Sequence, residues 1–147
     1  TSYAMGMGRW LWNASPKEIK IGDVEIENNL VKSFSFIADY GLNRTSMGSF
    51  GIGYEYINKV TMIGKNAWGD FDRVFSAPAD LDIFIEGKSK NKSWKKEIPM
   101  SDSFKIFLEN ILNDINSNKT GNWFDRVQDT YIDYSYLSKE VNKWRKR

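Results

Sequence analysis

Two different periods of apolar and polar positions divide this chain. Val24 and Ile26 alternate with Asp23, Glu25 and Glu27, the two-residue period of a half-buried strand. Asn28-Asn29 then punctuates, and Val31, Phe34, Phe36 and Ile37 predict a second strand. Tyr40 to Gly48 reads as a turn-rich loop. Phe50, Ile52, Tyr54 and Tyr56 fall on one face, opposite Gly51, Gly53 and Glu55. Val60 and Met62 resume after Asn58-Lys59 as though closing a short hairpin. A further pair, Phe71 to Phe75 and Leu81 to Ile85, is joined by Ser76-Ala77-Pro78-Ala79. The pattern predicts about six strands, largely a meander, because the connections are too short for parallel crossovers.

The period changes after Pro99. Ser101 or Asp102 is placed to cap free backbone N–H groups. Phe104, Phe107, Leu108, Ile111, Leu112 and Ile115 follow at helical spacing, an apolar stripe. Residues 116–121 break this helix. A second stripe runs through Phe124, Val127, Tyr131, Tyr134, Val141 and Trp144, with a break expected near Asp133 to Ser135. Strands followed by helices predict an α+β fold, an antiparallel sheet packed against two C-terminal helices. Residues 1–8 read as an expression remnant or a disordered start, and residues 9–147 as a single α+β domain.

Composition narrows the chemistry. The 147 residues are 41% hydrophobic and 15% aromatic, far from the profile of a disordered chain. A net charge of +2 provides no global field toward nucleic acid or an anionic membrane. No run is long and apolar enough to span a bilayer. Without Cys there is no disulfide framework, thiolate nucleophile or cysteine zinc site. Without His there is no imidazole base or Ser-His-Asp triad. Catalysis would have to rest on carboxylates, Lys, Arg, Tyr, Ser or a carboxylate-bound hard cation. A chain without Cys suits either redox environment, and the reading leans to the cytoplasm.

The sharpest constellation is Asp70, Asp72, Asp82, Glu86 and Lys88. Glu86-Gly87-Lys88 ends an apolar strand, and period two places Glu86 and Lys88 on one face. If Phe71 and Phe75 share a core with Leu81, Ile83 and Ile85, then Asp70 and Asp72 share the opposite face with Asp82 and Glu86. This resembles the PD-(D/E)xK nuclease motif. The resemblance implies Asp72 or Asp70 as the first ligand of Mg²⁺, Glu86 as the second and Lys88 as the catalytic lysine, with Asp72, Glu86 and Lys88 as the catalytic set. Glu18-Ile19-Lys20 repeats the same E-x-K pattern. The competing expectation is an outward sheet face whose charges are solvated and paired across strands, with no cofactor.

Residues 88–96 hold five lysines and Trp94, and are expected to form a loop. With the tail 144–147 they could contact a phosphate backbone, Trp94 offering a stacking surface. Gly48, Gly51 and Gly53 do not open a helix and so do not form a phosphate loop. Six tryptophans are many for this length. Trp10 and Trp12 are expected to share a strand face. Trp68, Trp94 and Trp144, with Lys92 and Lys95, are the candidate binding residues, because Trp and Tyr concentrate binding energy at interfaces.

Ile98 to Leu112 resembles the closing segment of SMI1/KNR4-type (SUKH) immunity proteins, with Ser103, Phe104, Phe107 and Leu108 at the Ser-Phe-x-x-Phe-Leu helix start. The resemblance implies a bacterial binding protein that neutralises a toxin without catalysis. The expectation is therefore a non-enzymatic protein-binding domain with a protein partner. The alternative is a metal-dependent nuclease, the toxin rather than its inhibitor.

Overall fold

A computed structural model describes residues 2–75, 77–119 and 121–144. The chain forms α1 (Ser2–Trp12), β1 (Glu18–Glu27), β2 (Leu30–Gly41), β3 (Arg44–Gly51), β4 (Lys59–Ile63), β5 (Ala67–Asp72), β6 (Ile83–Ser89), β7 (Lys92–Ile98), α2 (Ser103–Asn116) and α3 (Gly121–Trp144). The α+β class and the antiparallel meanders agree with the sequence pattern. A single sheet of about six strands does not form. The strands make two antiparallel sheets, ordered β1-β2-β3 and β4-β5-β6-β7. β3 ends at Gly51, and β4 opens the second sheet instead of pairing back onto it. The described residues form two compact units, one of α1, β1–β3 and α3, the other of β4–β7 and α2.

In the first unit, β2 carries the core. Phe34, Phe36, Ala38 and Tyr40 alternate onto one face and are buried, together with Ile19 of β1, Met5 of α1, and Leu137 and Val141 of α3. Phe50 stacks on Phe34 at 5.5 Å and on Phe36 at 6.1 Å. Residues 2–12, of which those up to residue 8 were expected to be a remnant or a disordered start, form a helix that packs on α3. Trp10 and Trp12 are therefore helical, with Trp12 against Tyr40 at 4.7 Å and Trp10 75% exposed. Gly8 is required here, because a Cβ would collide with the buried Tyr40 hydroxyl.

Arg9 fastens α1 to α3. Its Nε and Nη2 donate to the two carboxylate oxygens of Asp133 at 2.8 and 2.7 Å, and Nη1 lies 3.0 Å from Asp129. Asp133 is 4% exposed, so a bidentate guanidinium compensates a charge withdrawn from water. α3 runs unbroken where the sequence suggested an interruption.

Three hairpins close on two-residue turns, Asn28-Asn29, Leu42-Asn43 and Lys90-Asn91, with positive φ at both positions. That is the backbone requirement of turns matching strand twist, and Asn tolerates it. The second of them shortens the expected 40–48 loop to a tight turn. The third folds the lysine-rich 88–96 segment into the β6–β7 hairpin.

In the second unit the apolar face of the sheet carries Val60, Met62, Phe71, Ile83, Ile85 and Trp94. Gly69 and Gly87 lie opposite each other on that face. The ring of Phe71 lies beside Gly69 and that of Trp94 beside Gly87, where Cβ atoms would crowd them. α2 is capped as expected: the Asp102 carboxylate accepts from the Phe104 and Lys105 N–H groups at 3.0 Å each. Its apolar stripe, expected to cover a sheet, holds no buried residue.

Candidate functional site

Antiparallel register decides which charges meet on the polar face of the second sheet. Thr61 pairs with Asp70 and Lys59 with Asp72 across β4–β5. Asp70 pairs with Glu86 and Trp68 with Lys88 across β5–β6. Glu86 pairs with Lys95 and Lys88 with Ser93 across β6–β7. Residues directly opposite share a face, so Asp70, Asp72, Glu86 and Lys88 stand on one side of the sheet. Asp70, Asp72 and Glu86, but not Lys88, border a cleft of about 420 Å³ together with Lys59, Asp82 and Lys95.

The bonding in that cleft is local and mostly complete. Lys59 Nζ lies 2.8 Å from one oxygen of Asp70, and the Thr61 hydroxyl donates to the other at 2.5 Å. These two hydrogen bonds hold the Asp70 carboxyl below the usual carboxylate range. The Asp70 hydrogen bond correspondingly raises Lys59. Asp72 accepts from the Arg73 backbone N–H at 3.0 Å. Lys95 Nζ sits 4.3 Å above the Phe84 ring, and the Arg73 guanidinium 4.7 Å above Tyr56. Asn58, 9% exposed, anchors the rim: its carbonyl accepts from Arg73 N and its side-chain oxygen from Phe75 N.

A divalent cation needs several converging oxygens. Among the described residues no group of three or more Asp, Glu, His or Cys side chains stands where it could hold one. Asp70, the carboxylate nearest Glu86 in register, already has both oxygens engaged by Lys59 and Thr61. The side chains as positioned do not fit Mg²⁺. They suit a paired, solvated sheet face, with Lys59 and Lys95 flanking the central carboxylates.

The candidate binding residues separate. Lys88 and Lys95 belong to the carboxylate face with Trp68, whereas Lys92, Trp94 and Lys96 belong to the opposite face. The lysines of this hairpin therefore divide between its two faces. Trp68 is 41% and Trp94 38% exposed. Trp144 ends α3 in the first unit, and residues 145–147 of the expected basic tail lie outside the described residues.

Sequence reasoning missed Lys59 and Thr61, the groups that occupy Asp70. The signal was available in Lys59-Val60-Thr61-Met62, whose alternation puts Lys59 and Thr61 on the polar face. It also missed Arg9 and Asp133, separated by 124 positions, because no local spacing relates them. No protein-family model, curated protein or solved structure matches this chain.

Proposed function

We propose that this protein is a non-enzymatic binding domain whose target is another protein, engaged by α2. The observation that carries the reading is the exposure of the α2 stripe. Phe104 is 68% exposed, Leu112 58%, Ile115 54% and Leu108 43%, on a helix with a well-formed N-cap and no buried residue. Contiguous apolar surface on a soluble domain marks an interaction site, and an amphipathic helix is a recurrent form of one. The resemblance of 98–112 to SMI1/KNR4-type proteins gives the partner a character, a toxin held in a stoichiometric, inhibitory complex.

The test uses the tagged full chain in its native lysate, beside a Leu108→Asp/Leu112→Asp variant and Glu86→Gln. A one-to-one complex kept by Glu86→Gln and lost by the α2 variant supports the reading. No complex with any form, or one that the α2 variant retains, overturns it.

A second reading, the metal-dependent nuclease, draws on the direct register of Asp70 with Glu86. Plasmid DNA and total RNA incubated with Mg²⁺ or Mn²⁺, and with EDTA, decide it. Metal-dependent cleavage lost in Glu86→Ala would replace the binding reading. Absence of cleavage leaves the cleft as a charged sheet face.

A further inference from the structure

The three-stranded sheet of the first unit leaves a strand edge open among the described residues. β3 is an outer strand of the three-stranded sheet, and among the described residues it pairs with β2 alone. The Ile52 N–H donates to the Lys32 carbonyl at 2.9 Å, which fixes the alternation along the ladder. In that register Phe50, Gly48 and Ser46 exchange hydrogen bonds with β2. The N–H and C=O groups of Thr45, Met47 and Ser49 therefore point away from it.

Edges of this kind are normally blunted by charge, proline, bulges or shortness. The molecule blunts its other edges. β1 carries Glu18, Lys20, Asp23, Glu25 and Glu27, and breaks register between Gly22 and Glu25. β7 carries Lys92, Lys95, Lys96 and Glu97, and β4 is five residues long and begins with a lysine. β3 has none of these devices from Thr45 to Gly51. Its only charge, Arg44, is turned back onto the carbonyls of Gly41 and Tyr40.

The geometry points to a second copy of this chain as the occupant, paired antiparallel along β3 about a two-fold axis at Met47. A two-fold contact must be self-complementary, and this edge satisfies that in hydrogen bonding, charge and shape. With Met47 on the axis, Thr45 lies opposite Ser49 of the second copy, and the outward groups exchange about six backbone hydrogen bonds. No charge of either sign faces its own copy. β1 paired with itself would set glutamates together, and β7 would set lysines together. The axis also collects exposed apolar surface. Met47 is 73% exposed and its register partner Ile37 is 49% exposed, so two copies join four such side chains on the outer face. The result is a continuous six-stranded sheet, built from the unit that does not contain α2.

Sedimentation velocity of the full chain from about 5 to 200 µM tests this. Wild type, Met47→Lys, Ser49→Pro and Leu108→Asp are compared, with circular dichroism on each. Met47→Lys sets two like charges on the axis at an exposed position. Ser49→Pro removes an outward donor that β2 does not use. The expected result is a concentration-dependent dimer weakened at least about tenfold by Met47→Lys and by Ser49→Pro, and unchanged by Leu108→Asp. Should Ser49→Pro lose its folded spectrum, Met47→Lys decides. A wild type that remains monomeric throughout overturns the inference, and so does a dimer that Met47→Lys leaves intact. Because Leu108→Asp is scored separately, failure here and failure of the α2 reading are distinguishable.

Discussion

The two units spend their apolar residues in opposite ways. Among the described residues, the buried hydrophobic side chains of the core all belong to the first unit: Met5, Ile19, Phe34, Phe36, Ala38, Tyr40, Leu137 and Val141. The second unit has comparable material in Phe71, Ile83, Ile85, Trp94 and the α2 stripe, all of it half-buried or exposed. In the first unit two helices cover one face of a sheet, and an ion pair fixes them to each other. In the second, two glycines lie side by side on the apolar face with aromatic rings beside them, and the helix keeps its stripe in water. Apolar content alone does not make a core. What matters is whether a second layer reaches the face.

The sharpest way to break this comparison is to damage the first unit's core. Phe36→Ala is expected to cost about 3–5 kcal/mol, as a buried ring leaves a cavity between Phe34 and Phe50. Trp94→Ala, on the open face, should cost less than half of that; urea unfolding of the two variants checks the ratio. Asp133→Ala is expected to cost about 3 kcal/mol, because it leaves the Arg9 guanidinium part-buried without its bidentate acceptor. The same change should raise hydrogen exchange in α1 before it does so in β4–β7.

Alkali sharpens the contrast by titrating a single buried group. Burial pushes the Tyr40 hydroxyl up to about 12, with Asp133 adding to the shift and Arg9 opposing it. The unfolded chain releases this proton near pH 10. Between the two values the native state holds a proton that the unfolded state has lost, so stability falls as pH rises. The loss should amount to about 2 kcal/mol from pH 10 to 12, and Tyr40→Phe should flatten that part of the stability profile.

The smallest effect belongs to the second unit. Asp102→Ala removes the acceptor for two N–H groups at the start of α2 and should cost about 1 kcal/mol. Amides of residues 103–107 should exchange faster while those of β2 are unaffected. A comparable loss of protection in β2 would mean that the units are thermodynamically one body.

Much of the local structure was legible in the chain. The period of 24–27 and the stripe from Phe104 to Ile115 each found their element, because burial on one face imposes a period set by backbone geometry. Glu86 stands beside Asp70 as alternation implied. The opening helix was not legible, since Met5 and Arg9 owe their role to Tyr40 and Asp133 far along the chain. The Lys90-Asn91 turn was hidden in what looked like a lysine loop, and it sent Trp94 to the face opposite Lys88.

By itself, then, the sequence determined the class of fold, the helical C-terminal third, the alternation of the strands and the exclusion of thiol and imidazole chemistry. Each of these depends on residue type and on spacings of two to four. The tertiary structure alone decided that the strands divide into two sheets, that Lys59 and Thr61 occupy Asp70, and that β3 is left as an open edge. Those outcomes depend on which strand lies beside which, and pairing energies act between residues that no local pattern relates.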